Sequence, residues 1–330
     1  MSFIDMLKQR AMAVNGTIVL PESGDERTLR AAAQILCEGL AKVILIGKEE
    51  DIHNQAGALE LDLAGAQIID PEKYSRTDEF AEFFHEKRKE KGVRLEQAHH
   101  TVRTELFFGA LCVKFGIADG MVAGAANTTA AVLRAALQVV GVLPGLKTVS
   151  STYFMVVSDF MGEDRVFLFA DCAVVPNPTS EQLADIAIST ALTRKAILGD
   201  EPKVALLSFS TKGSAEHELV DKVRVAGSIL HQRKVDFAFD SELQLDAAIV
   251  PAIAQRKAPQ SILAGNANTL IFPDLQAGNI GCKLVHIMAK AEAIGPIIQG
   301  LAAPICDLSR GCSSQDIVNT SVLVLLMVDK

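Results

Sequence analysis

Long apolar runs are absent from this sequence. Its longest purely aliphatic stretch, Val322 to Val328, has seven residues, whereas a membrane-spanning helix needs about 20. The opening stretch MSFIDMLKQRAMAV mixes apolar positions with charges, a pattern typical of an amphipathic helix rather than of a signal peptide. We therefore expect a cytoplasmic protein that has no membrane as a partner.

Several catalytic and nucleotide-binding motifs are missing too. The sequence has no G-x-G-x-x-G and no G-x-x-x-x-G-K-[ST], the fingerprints of dinucleotide binding and of the P-loop. It also has no G-x-S-x-G nucleophile elbow and no H-E-x-x-H zinc motif. We therefore expect neither a tightly bound cofactor nor a metal site.

Positive charge is in short supply. The chain has 32 Lys and Arg residues against 40 Asp and Glu residues, which gives a formal net charge of −8. A negative chain repels phosphate backbones, so we do not expect nucleic acid as a partner. A local basic pocket for a small anion remains compatible with this balance.

Cysteines with redox or metal-site spacing are missing as well. The six cysteines contain no C-x-x-C motif, and several lie in apolar runs such as FADCAVV. Cysteine is among the most buried residue types, and a chain of 330 residues does not need disulfides to be stable. We expect buried, free thiols.

The sequence does have the material for a large core. Hydrophobic residues make up 49% of the 330 positions and charged residues 22%, which favours two folded domains over a disordered chain. The stretch GVLPGLKT, 141–148, is the best candidate for a domain boundary because glycine and proline interrupt regular structure there.

Apolar, β-branched runs alternate with segments of helical period along the chain. This alternation predicts an α/β fold with largely parallel sheets covered on both faces. One helix has a complete start signal, because Thr179 stands three residues before Gln182, the spacing of a capping box. The predicted strands cover 16–22, 42–47, 120–125, 148–158, 166–175, 203–210 and 269–274.

A polar loop follows the strand at 203–210 and precedes a helical pattern. Hydroxyl groups, a lysine and a glycine at a helix start can hold a phosphate, because the N–H groups there point outward and carry partial positive charge. An ordinary capped turn explains the same composition, and the sequence leaves both interpretations open. The candidate anion-binding residues are Ser210, Thr211, Lys212, Gly213 and Ser214.

Three arginines are candidate anion ligands. Arg134 lies in TTAAVLRAALQVVG, a helix that is apolar on nearly every face, so we expect it to be buried beside a carboxylate or a substrate. Arg27 follows a strand at a helix start, where a solvated first-turn residue is the alternative. Arg88 lies in the charge run EKRKEK, which is typical of a solvated helix face.

The stretch DLSRGCSSQDI, 307–317, places unusual polar chemistry before the last apolar segment. Asp316 could accept a proton while Arg310 and Ser309 stabilise a developing oxyanion. A structural role is equally compatible, because Ser313 and Asp316 have the spacing of a helix cap. Spacing alone leaves both possibilities open.

At the residues described above, the chain resembles the phosphate acetyltransferase family, to which the phosphate butyryltransferases are related. The resemblance runs from LPES and DER near the start through DGMVAGA, SFSTKGSA and IFPDLQAGNI to KAEAIGPIIQGL and DLSRGCSSQDIV. It implies two three-layer α/β/α domains with a cleft between them, similar to isocitrate and isopropylmalate dehydrogenases. The implied first domain spans 1–145 and 295–330, with the second, 146–294, inserted into it.

The resemblance also implies function. Members transfer an acetyl group reversibly between coenzyme A, a substrate rather than a bound cofactor, and phosphate, and they are commonly homodimers. Ser309, Arg310 and Asp316 match the catalytic residues of the family. Arg88, Arg134 and Arg27 match its substrate-binding arginines.

The chain departs from the family pattern in the segment 124–137. Asn127 stands where the family usually has histidine, Ala131 lies near a usual aspartate, and Ala135 replaces a proline. We expect these positions to line the cleft side of the first domain and to affect acyl specificity and rate.

The expected mechanism is direct attack of the coenzyme A thiolate on acetyl phosphate. Asp316 would take the thiol proton, and we expect it to lie in an apolar setting supplied by the residues after it. A covalent route through Cys312 is the rival within this class. A phosphate butyryltransferase or another short-chain phosphate acyltransferase is the alternative activity. Two other classes stay open, a metal- and NAD-dependent decarboxylating dehydrogenase and a non-catalytic acyl-CoA-sensing domain. The sequence shows no cluster of aspartates for the metal of such a dehydrogenase.

Overall fold

The structure is a computed structural model, and it describes residues 3–328. The helices are α1 (Phe3–Val14), α2 (Glu26–Cys37), α3 (Glu49–Ala58), α4 (Thr77–Arg88), α5 (Leu95–Val102), α6 (Glu105–Lys114), α7 (Thr129–Val139), α8 (Ser180–Leu198), α9 (Glu218–Arg233), α10 (Leu245–Ile249), α11 (Pro251–Lys257), α12 (Leu275–Met288) and α13 (Ser314–Leu326). The strands are β1 (Thr17–Leu20), β2 (Lys42–Ile46), β3 (Gln67–Ile69), β4 (Gly120–Ala123), β5 (Ser150–Phe160), β6 (Glu163–Ala170), β7 (Lys203–Leu207), β8 (Ala238–Leu243), β9 (Thr269–Ile271), β10 (Glu292–Gln299) and β11 (Ile305–Asp307).

The chain forms two compact units, each built around its own sheet. The first unit comprises Met1–Leu143 and Leu301–Lys330, and the second comprises Pro144–Gly300. Strand β10 pairs with β5 in the second sheet, for example Ile298 with Ser151. The segment that returns to the first unit begins at Leu301, whereas the family resemblance implied residue 295.

The first unit has a five-stranded sheet in the order β11-β4-β1-β2-β3, and its recorded pairings are parallel. Its central strands are apolar and buried, as expected for a sheet covered on both faces. Helices α1, α2 and α13 pack in one group, and α6 packs against α7. The chain runs from β1 toward β2 on one side and adds β4 on the other, so a topological switch point lies between β1 and β4.

The second unit has a six-stranded mixed sheet in the order β10-β5-β6-β9-β7-β8. Strands β5 and β6 are antiparallel because a two-residue turn joins them, and a parallel pair would need a long crossover. Met161 and Gly162 form this turn with φ values of 56° and 93°, the backbone that tight hairpins require. The predicted α/β fold class is confirmed. The pairings of the first sheet are parallel, whereas the second sheet also contains the antiparallel pairs β10–β5 and β5–β6.

Helix α8 begins as its sequence signal indicated. Thr179 is the N-cap and its hydroxyl accepts a hydrogen bond from the Gln182 N–H group. The Gln182 side chain in turn accepts from the Thr179 N–H group at 2.9 Å. This reciprocal pair confirms the predicted capping box.

The expectation of buried cysteines is correct except at one position. Cys37 is exposed, the other five cysteines are buried, and none of the six forms a disulfide within the described residues. Within residues 3–328, no helix is both long and apolar enough to cross a bilayer.

Candidate active site

Three loops meet at the carboxyl edge of the first sheet. They follow β1, β4 and β11, which are neighbours in that sheet, and they lead into α2, α7 and α13. Ligands of open α/β sheets bind at such an edge, next to the switch point. These loops and the first turns of the helices that follow them contain Arg27, Asn127 and the stretch from Ser309 to Asp316.

Glu22 ties the loop after β1 to the loop after β4. Its side chain is buried and accepts hydrogen bonds from four successive backbone N–H groups. A row of N–H groups of this kind can hold an anion, and here the anion is a carboxylate of the protein itself. The donors are Gly124 at 2.9 Å, Ala125 at 2.8 Å, Ala126 at 3.2 Å and Asn127 at 2.8 Å.

Asn127 bridges two carboxylates. Its Nδ2 atom donates to Glu22 Oε1 at 3.0 Å and to Glu105 Oε1 at 2.7 Å. Burial raises the pKa of Glu105. The amide thus holds together two acidic groups that would repel each other if both were charged.

The other two departures from the family pattern lie in different environments. Ala131 is half-buried in the first turn of α7. Ala135 is fully buried in the core of the first unit. The expectation that all three positions line one side of the domain is therefore wrong for Ala135.

Arg27 is partly buried and makes hydrogen bonds to all three loops. Its Nη1 atom donates to the carbonyl oxygens of Arg310 at 2.7 Å and Cys312 at 2.9 Å. Its Nη2 atom donates to the Ala125 carbonyl at 2.6 Å and to Asp25 Oδ2 at 2.7 Å. Its Nε atom donates to Asp25 Oδ1 at 3.0 Å. This is not the solvated first-turn residue that the sequence offered as an alternative.

Asp25 orients this arginine. It is the N-cap of α2 and accepts a 2.9 Å hydrogen bond from the Arg27 N–H group. The hydrogen bond from the Arg27 side chain lowers the pKa of Asp25, against the effect of burial. A carboxylate at a helix N-terminus is also favoured by the helix dipole.

Asp307, at the end of β11, was not singled out from the sequence. It is 3% exposed, and its Oδ1 atom has no hydrogen-bond partner among residues 3–328. Burial raises the pKa of Asp307 to about 6, and the nearby Glu22 adds to the shift while Thr129 opposes it. Local sequence patterns did not mark this position, because the strand that ends at Asp307 has only three residues, too few for an apolar period to be recognised.

Ser309 and Arg310 lie in the loop after β11 and are both exposed. Ser309 Oγ accepts a hydrogen bond from the Gly311 N–H group at 3.2 Å. The Arg310 side chain makes no hydrogen bond or ion pair to any residue in the described part of the chain. Its guanidinium is therefore available to an anionic ligand.

Asp316 occupies the third position of α13 and is exposed. Its Oδ2 atom accepts hydrogen bonds from the Ser313 N–H group and hydroxyl, both at 2.8 Å. Ser313 and Asp316 therefore form a capping box, the structural role that their spacing in the sequence allowed. The expectation of an apolar setting is wrong, because the apolar residues of α13 face the core while Asp316 faces outward.

Arg88 and Arg134 differ in their surroundings. Arg88 is half-buried at the end of α4, and its Nε atom is buried with no partner among the described residues. Arg134 is exposed, so the expectation that it is buried is wrong. Helix α7 turns Val132, Ala135 and Ala136 toward the core and leaves Arg134 on the outer face.

The polar loop at 210–214 belongs to the second unit, and it already holds an anion. Glu242 Oε1 accepts from the Ser210 hydroxyl at 2.8 Å and from the Gly213 N–H group at 2.6 Å. Arg224 donates to both carboxylate oxygens of Glu242, at 2.8 Å and 2.9 Å. Burial raises the pKa of Glu242, but these hydrogen bonds outweigh it and bring the pKa to about 2.

The remaining loop residues also have protein partners. Lys212 pairs with Asp240, and the Thr211 N–H group donates to Ser214 Oγ at 2.9 Å. The following helix, α9, begins only at Glu218. A substrate phosphate at this loop stays a prediction. Elsewhere, the residues at 3–328 contain no group of three or more His, Cys, Asp or Glu arranged to hold a metal ion.

Comparison with known proteins finds close relatives over the whole chain. The family described as Phosphate acetyl/butaryl transferase matches residues 2–325. A protein named Phosphate acetyltransferase from Thermoanaerobacterium thermosaccharolyticum is 54% identical over 97% of both chains. A second protein of that name, from Clostridium acetobutylicum, is 50% identical over 100% of this chain and 99% of its own. The crystal structure of a phosphotransacetylase from Streptococcus pyogenes aligns with a TM-score of 0.93 at 42% identity, over 99% of each chain.

Proposed function

Because the chain belongs to the phosphate acetyl/butaryl transferase family, we propose that it is a phosphate acetyltransferase. It transfers an acetyl group reversibly between coenzyme A and inorganic phosphate. The observation that carries this proposal is the 54% identity to a phosphate acetyltransferase over 97% of both chains. Coenzyme A and acetyl phosphate are its substrates, and no resident cofactor is needed for the transfer.

The loop after β11 is the proposed catalytic segment. Arg310 is exposed and has an unengaged guanidinium, whose fork of N–H donors suits a phosphate or a tetrahedral oxyanion. Ser309 is exposed beside it. The Oδ2 atom of Asp316 accepts hydrogen bonds from Ser313. Its Oδ1 atom has no hydrogen-bond partner among the described residues, so this oxygen can accept a proton.

The proposed reaction is a direct displacement. Asp316 accepts the proton of the coenzyme A thiol, and the resulting thiolate attacks the acetyl carbonyl carbon. A carbon–sulfur bond forms, the carbon–oxygen bond to phosphate breaks, and phosphate leaves with the electron pair. Arg310 stabilises the oxyanion in between, a contribution of roughly 3–4 kcal/mol for contacts of this kind. Ser309 donates a hydrogen bond to the thiol or to the leaving phosphate.

Arg88 and Arg134 are the proposed phosphate ligands. Arg134 is exposed and has no ion pair within the described residues, and Arg88 has a buried Nε atom without a partner. Both features suit a role with a bound anion, since guanidinium groups form strong charge-assisted hydrogen bonds with phosphate. Arg27 and the loop at 210–214 already have protein partners and are weaker candidates.

A covalent route through Cys312 is disfavoured. Cys312 is buried, and burial raises the pKa of its thiol. A thiol with a raised pKa is a poor nucleophile, because the thiolate is the reactive form. Direct transfer requires only a base, and Asp316 is available for that role.

We also propose that the protein forms a homodimer through α12. Four side chains of this helix are more than half exposed: Ile280 at 57%, Leu284 at 51%, Ile287 at 71% and Met288 at 77%. An apolar row at this spacing on one helix is typical of a surface that another protein covers. A location in the cytoplasm stays a prediction.

A coupled assay tests the proposed activity. The purified chain should consume acetyl phosphate only when coenzyme A is present, and should release phosphate and acetyl-CoA in equal amounts. Propionyl and butyryl phosphate should be compared in the same assay, because the family includes butyryl transferases. Faster transfer of butyryl than of acetyl groups would make the chain a phosphate butyryltransferase.

A further inference from the structure

We propose that Arg27 is a positioning residue rather than a substrate ligand: its guanidinium fixes the backbone of the loop that carries Ser309 and Arg310. The proposal concerns an arginine that the family resemblance assigns to substrate. It rests on the proposed function for the location of the catalytic loop, but the contacts themselves do not depend on that function.

The guanidinium of Arg27 has all of its donors engaged within the protein. A guanidinium has five N–H groups, and the guanidinium of Arg27 donates five hydrogen bonds to oxygen atoms. Two of them go to the carboxylate of Asp25. The other three go to backbone carbonyls, those of Ala125, Arg310 and Cys312. No N–H group is left for a substrate phosphate.

The carbonyls that accept from Arg27 lie far from it in sequence. Arg310 and Cys312 are 283 and 285 residues from Arg27 in sequence, and Ala125 is 98 residues away. One side chain at the start of α2 therefore joins the loop after β4 and the loop after β11. At the start of the loop after β11, the Leu308 N–H group donates to the Ala123 carbonyl of β4 at 2.8 Å. Further along the same loop, Arg27 links the carbonyls of Arg310 and Cys312 to α2 and to the loop after β4.

Asp25 holds the Arg27 side chain in place. Arg27 is itself fixed, because both its guanidinium and its backbone N–H group donate hydrogen bonds to the carboxylate of Asp25. Asp25 in turn caps α2. Arg27 therefore anchors the loop after β11 to α2. The exposed Arg310 side chain projects from this anchored loop, whose backbone is already in position before a substrate binds. Preorganised donors of this kind account for much of the rate of acyl transfer.

This role predicts a distinct kinetic pattern for Arg27→Ala. Releasing the loop misplaces Arg310, and displacement of a catalytic group by about 1 Å can cost about 100-fold in rate. We expect kcat to fall on that scale, while the KM values for acetyl phosphate and coenzyme A change by less than about threefold, since no substrate contact is removed. Arg27→Lys keeps the charge beside Asp25 but lacks the planar fork, so it should not restore kcat.

The matched control is Arg30→Ala. Arg30 lies one turn along the same helix, is exposed, and pairs only with Glu26 on the helix surface in the part of the chain described. Its removal should leave both kcat and the KM values unchanged. Free guanidinium at millimolar concentration should restore part of the activity of Arg27→Ala, and the same concentration of sodium chloride should not.

Amide hydrogen exchange provides a test that does not depend on activity. In Arg27→Ala, exchange at 309–313 and 125–127 should become faster than in the wild type, and in Arg30→Ala it should not. If Arg27→Ala does not fold, Arg27→Lys takes its place in both measurements. Unchanged exchange in these loops, or a KM for acetyl phosphate raised tenfold with kcat intact, would overturn the proposal. A wild type without transferase activity would instead overturn the proposed function, and exchange would still decide the role of Arg27.

Discussion

Ser313 and Asp316 satisfy each other's polar groups at the start of α13. The Ser313 N–H group and hydroxyl both donate to Asp316 Oδ2 at 2.8 Å, and the Asp316 N–H group donates to Ser313 Oγ at 3.2 Å. The same carboxylate is the proposed base. Its helix-capping role and its catalytic role can be separated by substitution, because each depends on a different property of the side chain.

Asp316→Asn keeps a side-chain oxygen for the cap but removes the proton acceptor. We expect kcat to fall by about 100-fold or more, the scale of a lost general base, with the melting temperature nearly unchanged. Ser313→Ala is the complementary variant, since it weakens the cap at a cost of about 1 kcal/mol and leaves the carboxylate in place. It should lower the melting temperature and reduce kcat far less. Near-normal kcat in Asp316→Asn would reduce this residue to a helix cap.

Arg310→Lys tests the requirement for a guanidinium. Lysine keeps the positive charge but loses the planar fork of donors. We expect most of kcat to be lost while the KM values for both substrates stay within about tenfold, the pattern of an interaction made mainly in the transition state. Steady-state kinetics in the acetyl-CoA-forming direction measures this. Wild-type kcat with a KM raised about 100-fold would show a binding residue instead.

Arg134→Ala should separate binding from folding. Because Arg134 is exposed and has no ion pair within residues 3–328, its removal should leave the melting temperature unchanged. The KM for acetyl phosphate should rise about tenfold, the scale of a lost hydrogen bond to a charged group, and more than the KM for coenzyme A. Arg30→Ala again serves as the control. Loss of the folded state in Arg134→Ala would point to a structural salt bridge.

Asp307 should make stability depend on pH. Its pKa is about 6 in the folded protein against 3.8 for an unperturbed carboxyl. Between these values the folded state binds more protons than the unfolded state, so this group lowers stability as the pH rises from about 4 to about 6. The loss is at most about 3 kcal/mol and persists at higher pH.

Asp307→Asn mimics the protonated acid and should remove that loss. In urea unfolding we expect the variant to be more stable than the wild type at neutral and alkaline pH, with the difference shrinking as the pH falls toward 4. Asp62→Asn, which replaces an exposed carboxylate, should show much less change. A difference between Asp307→Asn and the wild type that does not vary with pH would contradict the assignment.

The proposed dimer predicts the effect of a charge on α12. Ile287→Asp places a carboxylate in the exposed apolar row and should convert the protein to a monomer of 35.3 kDa by light scattering after size exclusion. Val225→Asp is the control, because Val225 is 48% exposed on a different helix, α9. A wild type that is already monomeric would refute the dimer.

Much of the fold could be predicted because local signals and burial agree. Helix α8 has its cap where the sequence placed it, and β2 and β7 begin at the predicted residues Lys42 and Lys203. Strands β3 and β11 have only three residues each, too few for an apolar period to be recognised. They are defined by pairing with distant strands.

The site was less accessible to sequence reasoning because burial of single side chains depends on tertiary packing. Arg134 looked buried since its helix is apolar, yet the packing of α7 leaves that side chain exposed. Asp307 looked like one polar residue among several, and only the folded chain shows that its Oδ1 atom lacks a partner among the described residues. The contacts of Arg27 span up to 285 residues, a separation that no local pattern encodes.

The most direct test of the central claim is transfer by the purified wild-type chain itself. Acetyl phosphate and coenzyme A are mixed with the protein, and acetyl-CoA is followed through its thioester absorbance together with released phosphate. We expect equal amounts of both products, dependent on coenzyme A, and the reverse reaction when acetyl-CoA and phosphate are supplied. If the chain bound acetyl-CoA but formed no product in either direction, it would be an acyl-CoA sensor, and the proposed function would be wrong.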